Sequence, residues 1–193
     1  MQQTLILGST SPFRRELLGK IGLNFETDSP DVDEAQHLNE SPSELVIRLA
    51  EAKARAVAER HPDALIIGSD QVACIDNEIL GKPGNRINAI KQLSIAAGKV
   101  VTFYTGLCLY NARSQQANSI CELFKVHFRD LSQEQIERYV DAETPYNCAG
   151  SFKSEGLGIS LFNRLEGDDP NALIGLPLIR LISMLDKEGV AIP

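Results

Sequence analysis

The sequence has no tryptophan, and it contains only four cysteines and three histidines. The cysteines lie far apart and form no C-x-x-C pair, which predicts reduced thiols rather than a disulfide framework or a zinc site. The histidines are scattered and form neither a Ser-His-Asp nor an H-E-x-x-H arrangement. Histidine-based catalysis is therefore not indicated.

Basic residues are in the minority, because 19 Lys and Arg stand against 26 Asp and Glu and give a formal net charge of −7. General nucleic-acid binding and binding to anionic membranes both need a basic surface, so neither nucleic acid nor membrane is an expected partner. No apolar run approaches the roughly 18 residues that span a bilayer. Residues 1–8 carry no basic residue, so a secretory signal is not expected and the protein is predicted to be cytoplasmic.

The chain alternates between strand-like and helix-like patterns, which predicts a single α/β domain over residues 1–193. Three capping signals predict helix starts, at Ser11, Ser41 and Ser132. Strands are expected at seven mainly apolar runs: Thr4–Leu7, Leu23–Glu26, Leu65–Gly68, Val72–Ile75, Val100–Tyr110, Ile120–Phe128 and Ile159–Phe162. The predicted architecture is a mixed sheet with flanking helices, divided into two lobes around a cleft.

Two arginines, Arg14 and Arg15, fall in the first turn of the first predicted helix, where the helix dipole disfavours cations. A strand, a Ser/Thr-rich turn and a helix start present free N–H groups to an anion, and arginines there would bind phosphate oxygens bidentately. The alternative is that both arginines point into solvent or pair with an acidic loop. The sequence favours neither arrangement.

Lys53 interrupts the apolar stripe of the second predicted helix. Its ammonium either snorkels to the rim of the helix, the commoner arrangement, or reaches a polar cleft at the end of the sheet. Asp70 follows the strand Leu65–Gly68, where ligands of α/β folds collect, and is a candidate metal ligand or general base. The alternative is that Asp70 only forms a turn. Lys82 closes the hairpin in the same region, and its alternative is an ordinary exposed lysine of a loop.

A glycine-bearing loop, Cys148–Gly158, would let a ligand approach the backbone closely, but it matches no Walker or dinucleotide fingerprint. Cations recur at the ends of predicted elements, at Arg14, Arg15, Lys53 and Lys82. Together with the carboxylates of Glu34 and Asp70, these cations are the side chains expected at a site that binds a polyphosphate and a divalent metal.

With these motifs the chain resembles the Maf family of nucleotide pyrophosphatases. The matching stretches run in the expected order over residues 7–18, 32–34, 49–53, 67–71, 81–83 and 148–158. The resemblance implies a fold similar to that of inosine triphosphate pyrophosphatase. It also implies hydrolysis of a nucleoside triphosphate to the monophosphate and diphosphate, assisted by a divalent metal such as Mg²⁺ or Mn²⁺.

Position by position, the resemblance implies a role for each motif residue. Asp70 would accept a proton from the attacking water, and Glu34 and Asp70 would lie at the metal. The implied phosphate-binding residues, with Arg15 as a neighbour of the match, are Ser9, Arg14, Arg15, Lys53 and Lys82.

Gln71 stands where the pyrimidine branch of the family usually has Thr, so the chain resembles the branch that hydrolyses 7-methyl-GTP. In that branch the positions of Phe13, Gln71 and Glu155 are associated with substrate choice. A cationic 7-methylguanine gains about 0.5–2 kcal/mol on an aromatic face, and Phe13 is a weaker platform than the Trp often found there. The N–H groups of the base would donate to a carboxylate such as Glu155.

Two alternatives are left open. One is a pyrophosphatase for dTTP, UTP or other modified nucleotides, and the other is a non-catalytic nucleotide sensor that regulates cell division. A homodimer is also left open.

Overall fold

A computed structural model describes residues 3–76 and 78–192. In these residues the strands are β1 (Leu5–Gly8), β2 (Glu26–Asp28), β3 (Leu65–Ile75), β4 (Glu78–Leu80), β5 (Val100–Asn111), β6 (Gln116–Phe128) and β7 (Phe162–Glu166). The helices are α1 (Pro12–Gly19), α2 (Pro42–Ala58), α3 (Arg86–Ala96), α4 (Gln133–Glu143), α5 (Pro170–Ile174) and α6 (Leu178–Lys187). Two 3₁₀ turns lie at Ala149–Ser151 and Leu157–Leu161.

The strands form one sheet in the order β2-β1-β3-β5-β6-β7, and β4 pairs with β3. β1 runs parallel to both β2 and β3, whereas the β3–β4 and β6–β7 pairs are antiparallel. This pairing confirms the predicted mixed sheet with flanking helices. In the described part of the chain, no helix combines the length and apolar character needed to cross a membrane.

The chain divides into two compact units. The first contains Met1–Asp70, Thr105–Glu122 and Asp169–Pro193, and the second contains Gln71–Tyr104 and Leu123–Asp168. Apolar side chains of β1, β3, β5 and α6 form a core of the first unit. In the second unit, four phenylalanines meet edge to face with ring centroids 4.8 to 5.5 Å apart: Phe103, Phe128, Phe152 and Phe162. Two units agree with the predicted two lobes, and the cleft stays a prediction.

The three predicted helix starts are confirmed by their hydrogen bonds. The Oγ of Ser11 accepts from the backbone N–H of Arg14, and Pro12 takes the first helical position. Ser41 and Ser132 each form a reciprocal capping box with the residue three positions later. Such a cap contributes about 1 kcal/mol, so the starts of α1, α2 and α4 are encoded locally.

Helix α2 packs with its backbone directly against two strands, because each strand has a glycine at the crossing point. A Cβ on Gly68 of β3 would collide with the carbonyl oxygen of Ala50, and one on Gly106 of β5 with that of Val46. The close approach puts Lys53, one turn after Ala50, next to the segment of β3 that follows Gly68. The fold thereby determines which helical residue faces Asp70.

Replacement of Gly68 by Ala is expected to destabilise the protein by about 3 kcal/mol, the upper range for overpacking, because the obstacle is backbone. For a chain of this size the melting temperature should fall by roughly 6–12 °C. Gly19→Ala is the matched control, since a Cβ there meets nothing within 4 Å. Equal melting temperatures for the two variants would contradict the proposed close packing.

The strand that carries Asp70 differs from its predicted form. We expected Leu65–Gly68 to end before Asp70, and this boundary is wrong, because β3 continues without a break from Leu65 to Ile75. The polar residues Ser69 and Asp70 are buried inside the strand rather than exposed in a turn. The partner β1 ends at Gly8, opposite Gly68, so Asp70 lies where β3 extends beyond β1.

Candidate active site

The side chains of Glu34, Lys53 and Asp70 form a cluster in the first unit. The Nζ of Lys53 lies 2.6 Å from Oδ1 of Asp70 and 2.6 Å from Oε1 of Glu34. The side chains of Lys53 and Asp70 are only 8% and 12% exposed, whereas that of Glu34 is 62% exposed. Lys53 therefore does not snorkel: its ammonium lies in a polar cluster with one side open to solvent through Glu34.

Arg14 belongs to the same electrostatic environment. Its Nε donates to the carbonyl oxygen of Gly175 at 2.8 Å, and the hydroxyl of Ser69 donates to the same oxygen at 2.9 Å. Desolvation lowers the pKa of Arg14, and the negative charges of Asp70 and Glu34 oppose that shift. Arginine nevertheless stays charged at neutral pH, so Arg14 is a second cation in the neighbourhood of the cluster.

Ser9 is buried at the end of β1, and its Oγ accepts from the backbone N–H of Ser11 at 3.1 Å. Phe13 is partly buried on α1 beside Arg14. Arg15 is exposed and lines a shallow surface pocket with residues 23–27, on the side of α1 that faces this segment. The structure thus brings Ser9 to the start of α1 and directs the two neighbouring arginines to different surroundings.

The segment 169–177 contributes to the site and was not predicted from the sequence. Asp169 is fully buried and caps α5, accepting from the backbone N–H of Asn171 and of Ile179. Gly175 ends α5 with φ 123° and presents its carbonyl to Arg14 and Ser69. The cap residue, the proline after it and the glycine at the end are a readable helix signal, and they were available in the sequence.

Three predicted site residues belong to the second unit: Gln71, Lys82 and Glu155. Lys82 and Glu155 are exposed, and Gln71 is partly exposed within β3. Burial raises the pKa of Cys148, and the charges of Lys82 and Glu155 act on it in opposite directions. Both charged residues are therefore near Cys148, at the beginning of the glycine-bearing loop.

That loop is held by contacts within the second unit. The Nζ of Lys153 lies 3.2 Å from Oε1 of Glu143, and Oε2 of Glu143 accepts from the backbone N–H of Leu157 at 2.7 Å. Phe152 is a core residue, and the hydroxyl of Ser151 bonds to Gln92. These contacts leave Glu155 exposed within an anchored loop.

Glu34 and Asp70 could hold a divalent metal that takes its remaining ligands from substrate and water. Among the described residues, no group of three or more His, Cys, Asp and Glu side chains could form a protein-only metal cage. Mg²⁺, however, is commonly held by one or two carboxylates together with phosphate oxygens and water. Glu34 and Asp70 already bind one cation, the ammonium of Lys53. The pair therefore suits a divalent metal that enters the site bound to a nucleotide.

Comparison with known proteins gives concordant results. The family profile described as "Maf-like protein" matches residues 4–188. The 7-methyl-GTP pyrophosphatase of Alcanivorax borkumensis is 60% identical over 98% of this chain and 96% of its own. That of Colwellia psychrerythraea is 58% identical over 97% of this chain and 94% of its own. In structure, the Staphylococcus aureus Ham1 protein matches with a TM-score of 0.54 at 14% identity, over 96% of this chain and all of that one, which supports the fold alone.

Proposed function

The chain belongs to the Maf-like protein family, and we propose that it hydrolyses 7-methyl-GTP to 7-methyl-GMP and diphosphate. The observation that carries the proposal is the cluster of Lys53 with Asp70 and Glu34, which offers a nearly buried carboxylate beside a cation. The names and identities of the two relatives reported above support the choice of substrate. The cytoplasmic location and a homodimer stay predictions.

In the proposed reaction, Asp70 accepts a proton from the water that attacks the α-phosphorus. Arg14 and Lys53 bind phosphate oxygens and offset the charge that develops on the departing diphosphate. Both cations are kept in place by contacts seen in the structure, Arg14 on the Gly175 carbonyl and Lys53 between the carboxylates. Ser9, Arg15 and Lys82 keep their phosphate-binding roles as proposals.

A divalent metal completes the proposed site. Glu34 and Asp70 would hold it, and when bound it would neutralise phosphate charge and act as a Lewis acid. Glu34 suits this task because its side chain is exposed to water, which can supply further metal ligands, while Asp70 belongs to β3. Mg²⁺ and Mn²⁺ are the metals to test, and EDTA is expected to abolish diphosphate release.

A panel of triphosphates tests the function: 7-methyl-GTP, GTP, dTTP, UTP and ITP, each with Mg²⁺ or Mn²⁺. Diphosphate and monophosphate are measured as products, and nucleotide binding is measured in parallel. We expect the highest kcat/KM for 7-methyl-GTP. Faster turnover of dTTP or UTP would identify the pyrimidine alternative, and binding without any product would identify the sensor alternative.

Glu155→Ala is expected to lower kcat/KM for 7-methyl-GTP by roughly 10–100-fold and to change that for GTP less, since a lost charge-assisted hydrogen bond costs about 1.5–3 kcal/mol. The carboxylate is exposed, so the fold should be unaffected. Glu134→Ala, which removes an 88% exposed carboxylate of α4, is the control. If the ratio of the two kcat/KM values stays at the wild-type level, Glu155 does not read the base.

A further inference from the structure

Glu34 lies in an exposed acidic segment, residues 29–40, that joins β2 to α2. The segment is attached to α2 at a second point besides the contact of Glu34 with Lys53. The Nη2 of Arg48 donates to the carbonyl oxygen of Ala35, the residue after Glu34, at 2.9 Å. The same guanidinium binds both carboxylate oxygens of Glu40, at 2.5 and 2.8 Å.

The two side chains that make this attachment are less exposed than most of the segment. The side chain of Glu40 is only 7% exposed and that of Arg48 is 28% exposed. The segment folds back on Glu40, since its carboxylate accepts from the backbone N–H of His37 and its carbonyl from the amide of Gln36. A bidentate arginine therefore fixes both the end of the segment and the backbone next to Glu34.

Arg48 and Lys53 lie on the same helix, five residues or about 7.5 Å apart along its axis. Arg48 holds the backbone at Ala35, and Lys53 holds the carboxylate of Glu34. We propose that Arg48 is a positioning residue that places Glu34 at the Lys53–Asp70 cluster and so sets the affinity of the site for its divalent metal. The inference rests on the proposed function, because Glu34 matters here as a metal-binding carboxylate.

A purely structural role for Arg48, as an ion-pair partner that stabilises the start of α2, makes different predictions. If Arg48 had only that role, its substitution would lower the free energy of unfolding without a specific effect on metal affinity. The positioning role requires that the metal effect passes through Glu34. Arg48→Lys separates the two, because lysine can keep the charge pair with Glu40 but cannot also reach the Ala35 carbonyl with a second, rigidly placed donor.

The test uses Arg48→Lys, Arg48→Met, Glu34→Gln and the double variant Arg48→Met/Glu34→Gln. Arg55→Met is the matched control, since Arg55 is an exposed arginine of α2 that stacks on the ring of Tyr110. Two quantities are measured: the Mg²⁺ concentration that gives half-maximal diphosphate release, and the binding of Mn²⁺ alone by electron paramagnetic resonance. A third, limited proteolysis within residues 29–40, needs neither metal nor nucleotide.

Loss of a group that orients a metal ligand costs typically 10–100-fold in metal affinity, so Arg48→Met should raise the half-maximal Mg²⁺ concentration by about that factor. Arg48→Lys should raise it less, with kcat at saturating Mg²⁺ close to wild type. Arg48→Met should also speed cleavage in residues 29–40, whereas Arg55→Met should change none of these quantities. In the Glu34→Gln background, Arg48→Met should weaken metal binding no further.

Wild-type metal affinity in Arg48→Met, or additive losses in the double variant, would overturn the positioning role. If the wild-type protein releases no diphosphate from any nucleotide, the proposed function fails. Mn²⁺ binding and proteolysis then still decide the question, because Arg48→Met either weakens Mn²⁺ binding through Glu34 or leaves it unchanged.

Discussion

Replacement of Asp70 by Asn is expected to lower the rate of diphosphate release by roughly 10³-fold, within the usual contribution of a general base. Asparagine has nearly the same shape and its carbonyl oxygen can still accept from Nζ of Lys53, which lies 2.6 Å from Oδ1 in the wild type. It cannot take a proton from water. The fold should therefore be retained while the chemical step is lost, as measured by the melting temperature and by single-turnover kinetics.

A metal titration separates the two roles proposed for Asp70. If Asp70 only helped to hold the metal, high Mg²⁺ concentrations would restore most of the rate of Asp70→Asn. If it is the base, the rate stays low at every Mg²⁺ concentration. Asp63→Asn, which removes an 82% exposed carboxylate of the same unit, should behave as wild type. Turnover of Asp70→Asn near the wild-type rate would contradict the assignment of Asp70 as the base.

Much of the fold could be predicted because its signals are local. The capping residues of α1, α2 and α4 act within one helical turn, and each was found where the sequence placed it. The alternation of strands and helices likewise predicted the mixed sheet. Local patterns failed where contacts between distant residues decide. Ser69 and Asp70 look like a turn in the sequence, yet they continue β3, where Ser69 bonds to the Gly175 carbonyl and Asp70 pairs with Lys53 of α2.

The end of the second unit shows the same limit. The apolar run Ile159–Phe162 predicted a strand, but residues 157–161 form a 3₁₀ turn and β7 begins only at Phe162. Ile159 is exposed, while Phe162 packs against Phe128 and Phe152. Which apolar residue pairs with β6 depends on this aromatic packing, and hydrophobic periodicity along the chain does not contain that information.

The sequence could name candidate residues for the site, but it could not give their geometry. The sequence left open whether Lys53 snorkels and whether Arg14 points into solvent, because both answers fit an amphipathic helix. Gly68 and Gly106 decide the position of Lys53, because they let α2 approach the sheet. The Gly175 carbonyl helps to decide the position of Arg14, because it accepts a hydrogen bond from that side chain. These are contacts between residues far apart in the chain.

Lys53→Met is expected to reduce kcat/KM by about 10²–10³-fold, the usual effect of losing a preorganised electrostatic contact to the transition state. It should also destabilise the protein by about 3 kcal/mol, because the nearly buried carboxylate of Asp70 would lose its close cationic partner. Methionine keeps the unbranched stem and most of the volume of the lysine side chain and lacks only its terminal ammonium, so packing between α2 and β3 should change little. Denaturant unfolding and steady-state kinetics measure the two losses separately.

The double variant Lys53→Met/Asp70→Asn distinguishes a lost charge pair from damaged packing. If the cost of Lys53→Met comes from the uncompensated carboxylate, neutralising Asp70 in that background should restore most of the stability, while activity stays at the level of Asp70→Asn. Mg²⁺ should likewise raise the melting temperature of Lys53→Met more than that of the wild type, since the metal can replace the missing ammonium between Asp70 and Glu34. A double variant as unstable as the single one, with no extra effect of Mg²⁺, would show that Lys53 is needed for packing rather than for charge.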